Sequence, residues 1–244
     1  MKKAFNQAGI STAPWELMNG HETSVHLIGT RLGTPLILKP AVSGGSMGVS
    51  VKNVVHSEKQ LWSRVQELRT GYRGWNLDAD GIFAERFIAG PEFTTLVVGS
   101  ASAPENCIVY PAVERVFHAS LPETEKFLSF DRLWEIYEEE SPMPCEDSFY
   151  EYRATADPAL EARLKKLSLD AYLALGGTGY GRLDIRMDQR NGQLFVLEAN
   201  AQCGISEDED YTSIGAILRV AGKSFTQLVQ EIIADAFSRR NLSC

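Results

Sequence analysis

The sequence predicts an α+β fold, and three observations carry that expectation. Its strand-like runs come in adjacent pairs joined by glycine- or asparagine-rich turns, as antiparallel hairpins do. Its helical segments are amphipathic and separately capped. Strands and helices do not alternate one for one, as a doubly wound parallel sheet would require. At 244 residues, 44% hydrophobic and 23% charged, the chain suffices for one large domain or two modest ones. A formal net charge of -8 argues against a nucleic-acid or membrane partner, so a polyphosphate would have to be held by particular residues. Cys107, Cys145, Cys203 and Cys244 show neither CxxC spacing nor a histidine at metal-ligand spacing, which points to reduced thiols. Met1-Lys2-Lys3 leads into a polar segment without the apolar core of a secretory signal, and no run reaches transmembrane length. A cytoplasmic location is therefore expected.

Residues 2–8 read as a short helix stopped by Gly9, after which Pro14 opens an extended segment. A polar stretch over residues 19–23 precedes a helix ending at Leu32. Residues 34–40 form an apolar strand with Lys39 near its exit. A glycine-rich loop (43–48) and a second strand (49–52) then complete a hairpin with a flexible tip. Ser57 caps a helix over 58–68, with Leu61, Val65 and Leu68 on one face, and Gly71 closes it. Strands over 82–88 and 92–98 flank Gly90-Pro91, and the sheet continues over 107–116. Residues 120–152, with an acidic run at 138–140, read as a long loop with one helical turn. Pro158 opens a helix to Leu175, carrying Leu160, Leu164, Leu167 and Ala171 at core spacing, and Gly176-Gly177 stops it. A hairpin about the turn 189–192 comes next. The final helix, 224–239, is expected to turn Phe225, Leu228, Val229, Ile232, Ile233 and Phe237 inward.

That last hairpin is the most informative feature. Glu198 and Asn200, two apart, turn to one sheet face, where Asp184 of the preceding strand can meet them. Two carboxylates and an amide side by side suit a hard divalent cation, and the alternative is a hairpin with a polar, wet face. Arg182 shares that face and can neutralise charge on a transferred phosphoryl group or tetrahedral centre, or simply pair with the carboxylates. Lys39 can reach phosphate oxygens as a point charge or stand as a solvated strand-end lysine. The loop 43–48 can set backbone N–H groups against phosphate, although it lacks the Walker A order. Glu85 offers an acceptor for an exocyclic amine, the strand edge after it can read adenine, and Glu92 can accept from ribose hydroxyls. Two rim acids would otherwise be ordinary surface.

Together these segments resemble the ATP-grasp superfamily, and within it the D-alanine–D-alanine ligase family. The residues that carry the likeness are Leu36-Ile37-Leu38-Lys39-Pro40 with Gly45-Ser46-Met47-Gly48-Val49, and Glu85-Arg86-Phe87-Ile88-Ala89-Gly90-Pro91-Glu92-Phe93-Thr94. Gly179-Tyr180-Gly181-Arg182-Leu183-Asp184 and Leu197-Glu198-Ala199-Asn200 with Gly204 complete it, in the family's order. The resemblance implies an ATP-grasp fold in which two α+β subdomains grip a nucleotide between them. Residues 1–91 would be the central subdomain with the glycine-rich lid hairpin, and 92–244 the C-terminal subdomain with the magnesium site. By the same resemblance Lys39 contacts phosphates, Glu85, Arg86, Ile88 and Leu197 line the nucleotide slot, and Glu92 holds the ribose. Asp184, Glu198 and Asn200 would hold two magnesium ions, with manganese as the substitute. Arg182 would lie beside the reacting carbonyl, Ser46 on the loop closing over the phosphates, and Gly204 and Ser206 in the substrate-binding turn. The implied reaction is ATP-dependent carboxylate–amine ligation: a carboxylate takes the γ-phosphoryl group and an amine displaces phosphate from the acyl phosphate. Water must be excluded meanwhile, so loop 43–48 and segment 120–152 are the expected lids.

Three departures from the family bear on function. The resemblance begins at the helix containing Lys2, whereas the family carries an α/β domain ahead of it that helps bind the first amino acid. The expected partners are thus an amino-acid or peptide substrate, together with a homodimer mate or a protein supplying the missing N-terminal domain. Where the family places a phosphate-contacting lysine before a tyrosine, this chain reads Arg132-Leu133-Trp134, leaving Arg132 to substitute from the adjacent position. After Asn200 the family's Pro-Gly turn is replaced by Ala201-Gln202-Cys203-Gly204-Ile205-Ser206 and an acidic run, 207–210, which beside a pocket would favour an amino-bearing substrate. A nucleophilic Cys203 is the lesser alternative, since no histidine lies near it in sequence. The rival functions are a nucleotide-binding regulatory or inactive ATP-grasp module, a truncated ligase needing a missing domain or partner, and an enzyme that phosphorylates without ligating.

Overall fold

A computed structural model of the chain describes residues 1–18, 22–75, 77–144, 147–201, 203–209 and 212–241. Asn19, Cys145, Gln202, Asp210 and Cys244, which figure in the expectations above, lie outside the described residues. The chain forms two compact units, one of Met1–Thr12, Gly90–Val116 and Tyr150–Cys244, the other of Ala13–Ala89 and Phe117–Phe149. A single cut at residue 91 does not reproduce this division. Helix α1 (Lys2–Gln7) buries Phe5 among Phe93, Leu164 and Val196, far along the chain. Phe127 packs with Ile37, Val49 and Phe87, which draws segment 117–149 into the unit of residues 13–89.

In that unit, strands β1 (Trp15–Leu17), β2 (Leu36–Pro40), β3 (Val54–Val55) and β4 (Ile82–Arg86) form an antiparallel sheet in the order β1-β4-β2-β3. Helices α2 (Glu22–Leu32) and α3 (Glu58–Arg69) belong to it as well. Ser57 caps α3 by accepting from the Gln60 N–H, and Leu61, Val65 and Leu68 pack with Leu36, Leu38 and Ile82. The expected strand over 49–52 is not formed. Ser50 and Asn53 instead close a 3-10 turn, Val51–Asn53, by reciprocal side-chain-to-backbone bonds, and the Asn53 amide donates to Leu38 O and Gly48 O. Such local bonding competes with a ladder, and pairing with β2 resumes only at β3. The long loop is more structured than expected: a 3-10 turn (Glu123–Glu125) and helix α4 (Phe130–Trp134) lie within it, the latter capped by Ser129.

In the other unit, strands β5 (Glu92–Ser100), β6 (Ile108–Val109), β7 (Val113–Phe117), β8 (Tyr150–Ala154), β9 (Thr178–Met187) and β10 (Leu194–Ala201) form a six-stranded sheet in the order β10-β9-β5-β7-β8, with β6 also on β5. Every residue of the central strand β5 is buried. Phe93 and Val97 pack with Leu183, Ile185 and helix α5 (Pro158–Ala174), whereas Leu96 and Val98 pack with helices α6 (Ser213–Ala221) and α7 (Phe225–Asn241). Each such buried side chain contributes about 2 kcal/mol of transfer free energy. Helix α6 escapes sequence reading because it is only 9 residues long, too short a run to establish a helical period. Phe225, Leu228 and Ile232 of α7 pack inward, but Ile233 and Phe237 do not: they are 49% and 62% exposed. Gly90, at the start of β5, has φ +137°, and a Cβ there would lie 2.2 Å from Met187 O, so only glycine fits this turn. Among the described residues no helix is long and apolar enough to cross a membrane.

Candidate functional site

The residues singled out in sequence fall into two groups, one in each unit. In the six-stranded sheet, β9 brings Arg182, Asp184 and Arg186 to one face by its period of two. The pairing with β10 sets Glu198 opposite Asp184 and Asn200 opposite Arg182. A bulge makes this register possible: Val196 pairs with Ile185 and Glu198 with Asp184, leaving Leu197 as the extra residue. Asn200 Nδ2 then donates to Asp184 Oδ2 at 3.0 Å and to Glu198 Oε1 at 2.9 Å. Arg182 Nη2 donates to Asp184 Oδ2 at 2.9 Å and lies 3.9 Å from Glu198 Oε1. The sheet thus assembles all four hairpin residues.

Asp184 is only 6% exposed. Burial alone would raise its affinity for a proton, but Arg182 and Arg115 reverse this and hold the carboxyl below its usual range. The Asp184 charge in turn pushes the Arg182 pKa up against desolvation. Asp184 Oδ1 is buried beside Thr94, its cross-strand neighbour, whose side chain adds to the lowering of the Asp184 carboxyl. Two carboxylates and an amide side by side offer an all-oxygen donor set, which fits a hard cation. The set is two carboxylates and an amide; no cluster of three or more His, Cys, Asp or Glu side chains suited to a metal occurs among the described residues.

Beside this cluster lies an arrangement that sequence reading missed. Glu92, expected as an open ribose acceptor, is 6% exposed and sits between two arginines. Its cross-strand partners are Arg115 of β7 and Arg186 of β9. Arg115 Nη1 donates to Oε1, and Arg186 Nη2 donates to Oε2 at 2.5 Å. Desolvation opposes the Arg115 charge, yet Tyr152, Glu92 and Asp184 raise its pKa overall. Arg186 was readable as two residues beyond Asp184 on the same face, whereas Arg115 depends on a cross-strand register that no local signal gives.

In the other unit, Lys39 on β2 and Glu85 on β4 form an ion pair, Nζ to Oε1 2.6 Å, with Glu85 1% exposed. Arg86 ends β4 and Ile88 is buried just beyond it. The loop 43–48 is not a free tip. Gly45 and Ser46 have φ +57° and +59°, Ser46 Oγ donates to Leu128 O at 3.0 Å, and Trp134 Nε1 donates to Gly45 O at 2.8 Å. A Cβ on Gly45 would lie 2.9 Å from the Trp134 ring. The two segments expected as lids are therefore bonded to each other. The acidic run 138–140 is docked as well: Glu140 accepts from Val51 N and Ser129 Oγ, and the Glu139 and Glu140 N–H groups donate to Asp131 Oδ2.

Arg132 does not offer itself to phosphate. Its guanidinium donates to Glu125 O and Oε2, lies 2.9 Å from Glu140 Oε2, and stacks 4.3 Å from the Phe149 ring centroid. That commitment makes it a structural residue and corrects the expected substitution. Ser206 Oγ accepts from the Asp208 N–H, and Gly204 is exposed near Thr212. Glu209 pairs with Arg219 at 2.6 Å, which neutralises part of the acidic run. Burial pushes the Cys203 thiol up, so it stays protonated and gives no support to a nucleophile. Cys107 and Cys203 are free thiols.

A family model described as the D-ala D-ala ligase C-terminus matches residues 4–234. The chain belongs to this family. A D-alanine–D-alanine ligase of Nitrosococcus oceani is 26% identical over 239 residues, covering 98% of this chain and 64% of the relative. One from Bordetella petrii is 27% identical, covering 96% and 62%. The chain thus spans less than two thirds of the length of these curated relatives. Among solved structures, the D-alanine–D-alanine ligase from Bacillus anthracis complexed with ATP aligns with a TM-score of 0.68 at 21% identity, covering all of this chain and 66% of that one. The VanG D-Ala:D-Ser ligase from Enterococcus faecalis aligns at 0.66 and 21%, covering 96% and 59%. These likenesses establish a shared ATP-grasp fold.

Proposed function

We propose that this chain carries the nucleotide-handling machinery of an ATP-dependent carboxylate–amine ligase of the D-alanine–D-alanine ligase type, acting through an acyl phosphate on an amino-acid or peptide substrate. The observation that carries the reading is the Arg182, Asp184, Glu198 and Asn200 cluster, with Asp184 buried and held ionised, in a chain of this family. Asp184, Glu198 and Asn200 would hold magnesium, or manganese in its place, which neutralises phosphate charge; Asn200 would present its amide oxygen to it. Arg182 stays protonated through the reaction and stabilises negative charge as it moves onto the transferred phosphoryl group and the acyl centre. Lys39, already bonded to Glu85, supplies a second cation for phosphate oxygens. Glu85, Arg86, Ile88 and Leu197 line the nucleotide, and Glu92 accepts from the ribose through the lone pairs its arginines leave. Ser46 belongs to the covering loop, and Gly204 and Ser206 belong to the substrate turn. The setting is cytoplasmic, with two metal ions per nucleotide and a homodimer mate as protein partner.

A second reading, a nucleotide-binding module without turnover, is favoured by one specific observation: Leu133 stands where the family has a phosphate-contacting lysine, and Arg132 is spent on Glu125 and Glu140. The test is ADP and phosphate release by the full chain with magnesium and ATP, across a panel of D- and L-amino acids and dipeptides, with mass detection of amide products. Substrate-dependent release with an amide product supports the ligase. Nucleotide binding with no turnover on any member of the panel would replace it by the second reading.

A further inference from the structure

We propose that Arg115 is a positioning residue that, with Arg186, fixes the Glu92 carboxylate as a rigid acceptor for a ribose hydroxyl, and so sets a preference for ribonucleotides over deoxyribonucleotides. This rests on the nucleotide reading above. Glu92 has an arginine directly across the ladder on each side, and each of its oxygens takes one of them. A carboxylate offers about four lone-pair sites, so two arginine bonds leave acceptor capacity on both oxygens. One arginine would suffice to offset the buried charge. What the second adds is direction: held from opposite sides, the carboxylate keeps one orientation, and ordering it costs nothing more when a hydroxyl arrives.

Arg115 is itself braced. Its Nη2 lies 3.2 Å from Tyr152 Oη, and its guanidinium sits 5.3 and 5.5 Å from the ring centroids of Tyr150 and Tyr152. It is 7% exposed, so it cannot follow Glu92 should that side chain turn. Glu92 is tied to a fixed point rather than to a mobile counter-ion. A lysine could supply the charge at this position but not the fork that bonds Glu92 and Tyr152 at once.

The test titrates the full chain with magnesium and ATP, 2′-deoxy-ATP or 3′-deoxy-ATP, in wild type, Arg115→Met, Arg115→Lys, Glu92→Gln and the Arg115→Met/Glu92→Gln double variant. Wild type is expected to prefer ATP over at least one deoxy analogue by about tenfold, as a hydrogen bond to a charged acceptor supplies. Arg115→Met and Arg115→Lys should cut that preference to within about twofold. In the Glu92→Gln background, Arg115→Met should change the preference no further, because the arginine acts only through Glu92. The double variant also removes the carboxylate whose second arginine is lost in Arg115→Met, so it keeps the test open if the single variant folds poorly. The preference is a ratio within one protein, and partial misfolding lowers every affinity alike. Equal weakening of all three nucleotides, or an unchanged preference, in Arg115→Met would overturn the proposal, as would wild type that binds ATP without preference. Wild type that binds no nucleotide would instead overturn the nucleotide reading itself.

Discussion

The charged face on β5, β9 and β10 and the paired loops of the other unit were both expected to handle nucleotide, yet they are built in opposite ways. On the sheet, each functional side chain is placed by strand period and register: Arg182, Asp184 and Arg186 by alternation along β9, Glu198 and Asn200 by the pairing across the Leu197 bulge. In the loops, position comes from side chains bonding backbone. Asn53 ties Leu38 to Gly48, Glu140 ties Val51 to Ser129, and Trp134 ties α4 to Gly45. A strand-borne site survives the loss of one side chain with its neighbours in place, whereas a site assembled by such ties loses geometry with each one cut.

The largest effect should come from the sheet. Glu198→Gln leaves a half-exposed position and an intact fold, and should lower magnesium-dependent ATP turnover by at least about 100-fold; a variant within about threefold of wild type would show that the hairpin is only a wet face. On the other side of the comparison, Arg132→Ala strands Glu140 and removes the stack on Phe149. It should destabilise its unit by about 3 kcal/mol in denaturant unfolding and open segment 117–149 to protease. Wild-type resistance would mean that the loops do not depend on their ties.

Acid should separate the two constructions more gently. Burial pushes the Asp131 and Glu139 carboxyls up. The Glu139 and Glu140 N–H groups and Arg73 more than offset this for Asp131, and Tyr72 and Lys52 do so for Glu139, leaving both pKa values lowered. A lowered carboxyl contributes stability above its unfolded value, 3.8 for Asp131 and 4.5 for Glu139, and that stability is lost as pH falls through the folded values. Protection factors of residues 138–140, that is, exchange rates taken relative to the intrinsic rate at each pH, should therefore hold from neutral pH down to about 5 and fall only below about 4. The smallest effect should be that of Trp134→Ala. The ring is 57% exposed and its one bond to Gly45 O contributes about 1 kcal/mol, so exchange at residues 43–48 should quicken about fivefold with little change in global stability.

The same contrast explains what was legible in the sequence. The hairpin, the capped helix after Ser57, the apolar helix after Pro158 and the strands flanking Gly90 follow from period, cap and breaker, and the structure has them close to where those signals fall. The α+β class follows too. What failed was local competition and distant register. Ser50 and Asn53 diverted an apolar run, Val49 to Val51, from a strand into a turn. Helix α6 hid because its 9 residues are too few to establish a period, and Phe237 misled because an apolar residue at helical spacing need not face the core. Arg115 was invisible as a site residue because only the β5–β7 register sets it on Glu92. The Gly45 and Trp134 contact joins residues 89 apart, which no local pattern reports.

The central claim is that Asp184, Glu198 and Asn200 bind nucleotide through a divalent cation, and calorimetric titration of the full chain with ATP, with and without magnesium, tests it most directly. Wild type should gain at least about tenfold in affinity on adding magnesium, and Glu198→Gln should lose that gain while keeping its metal-free affinity. An equal magnesium gain in both proteins would contradict the account.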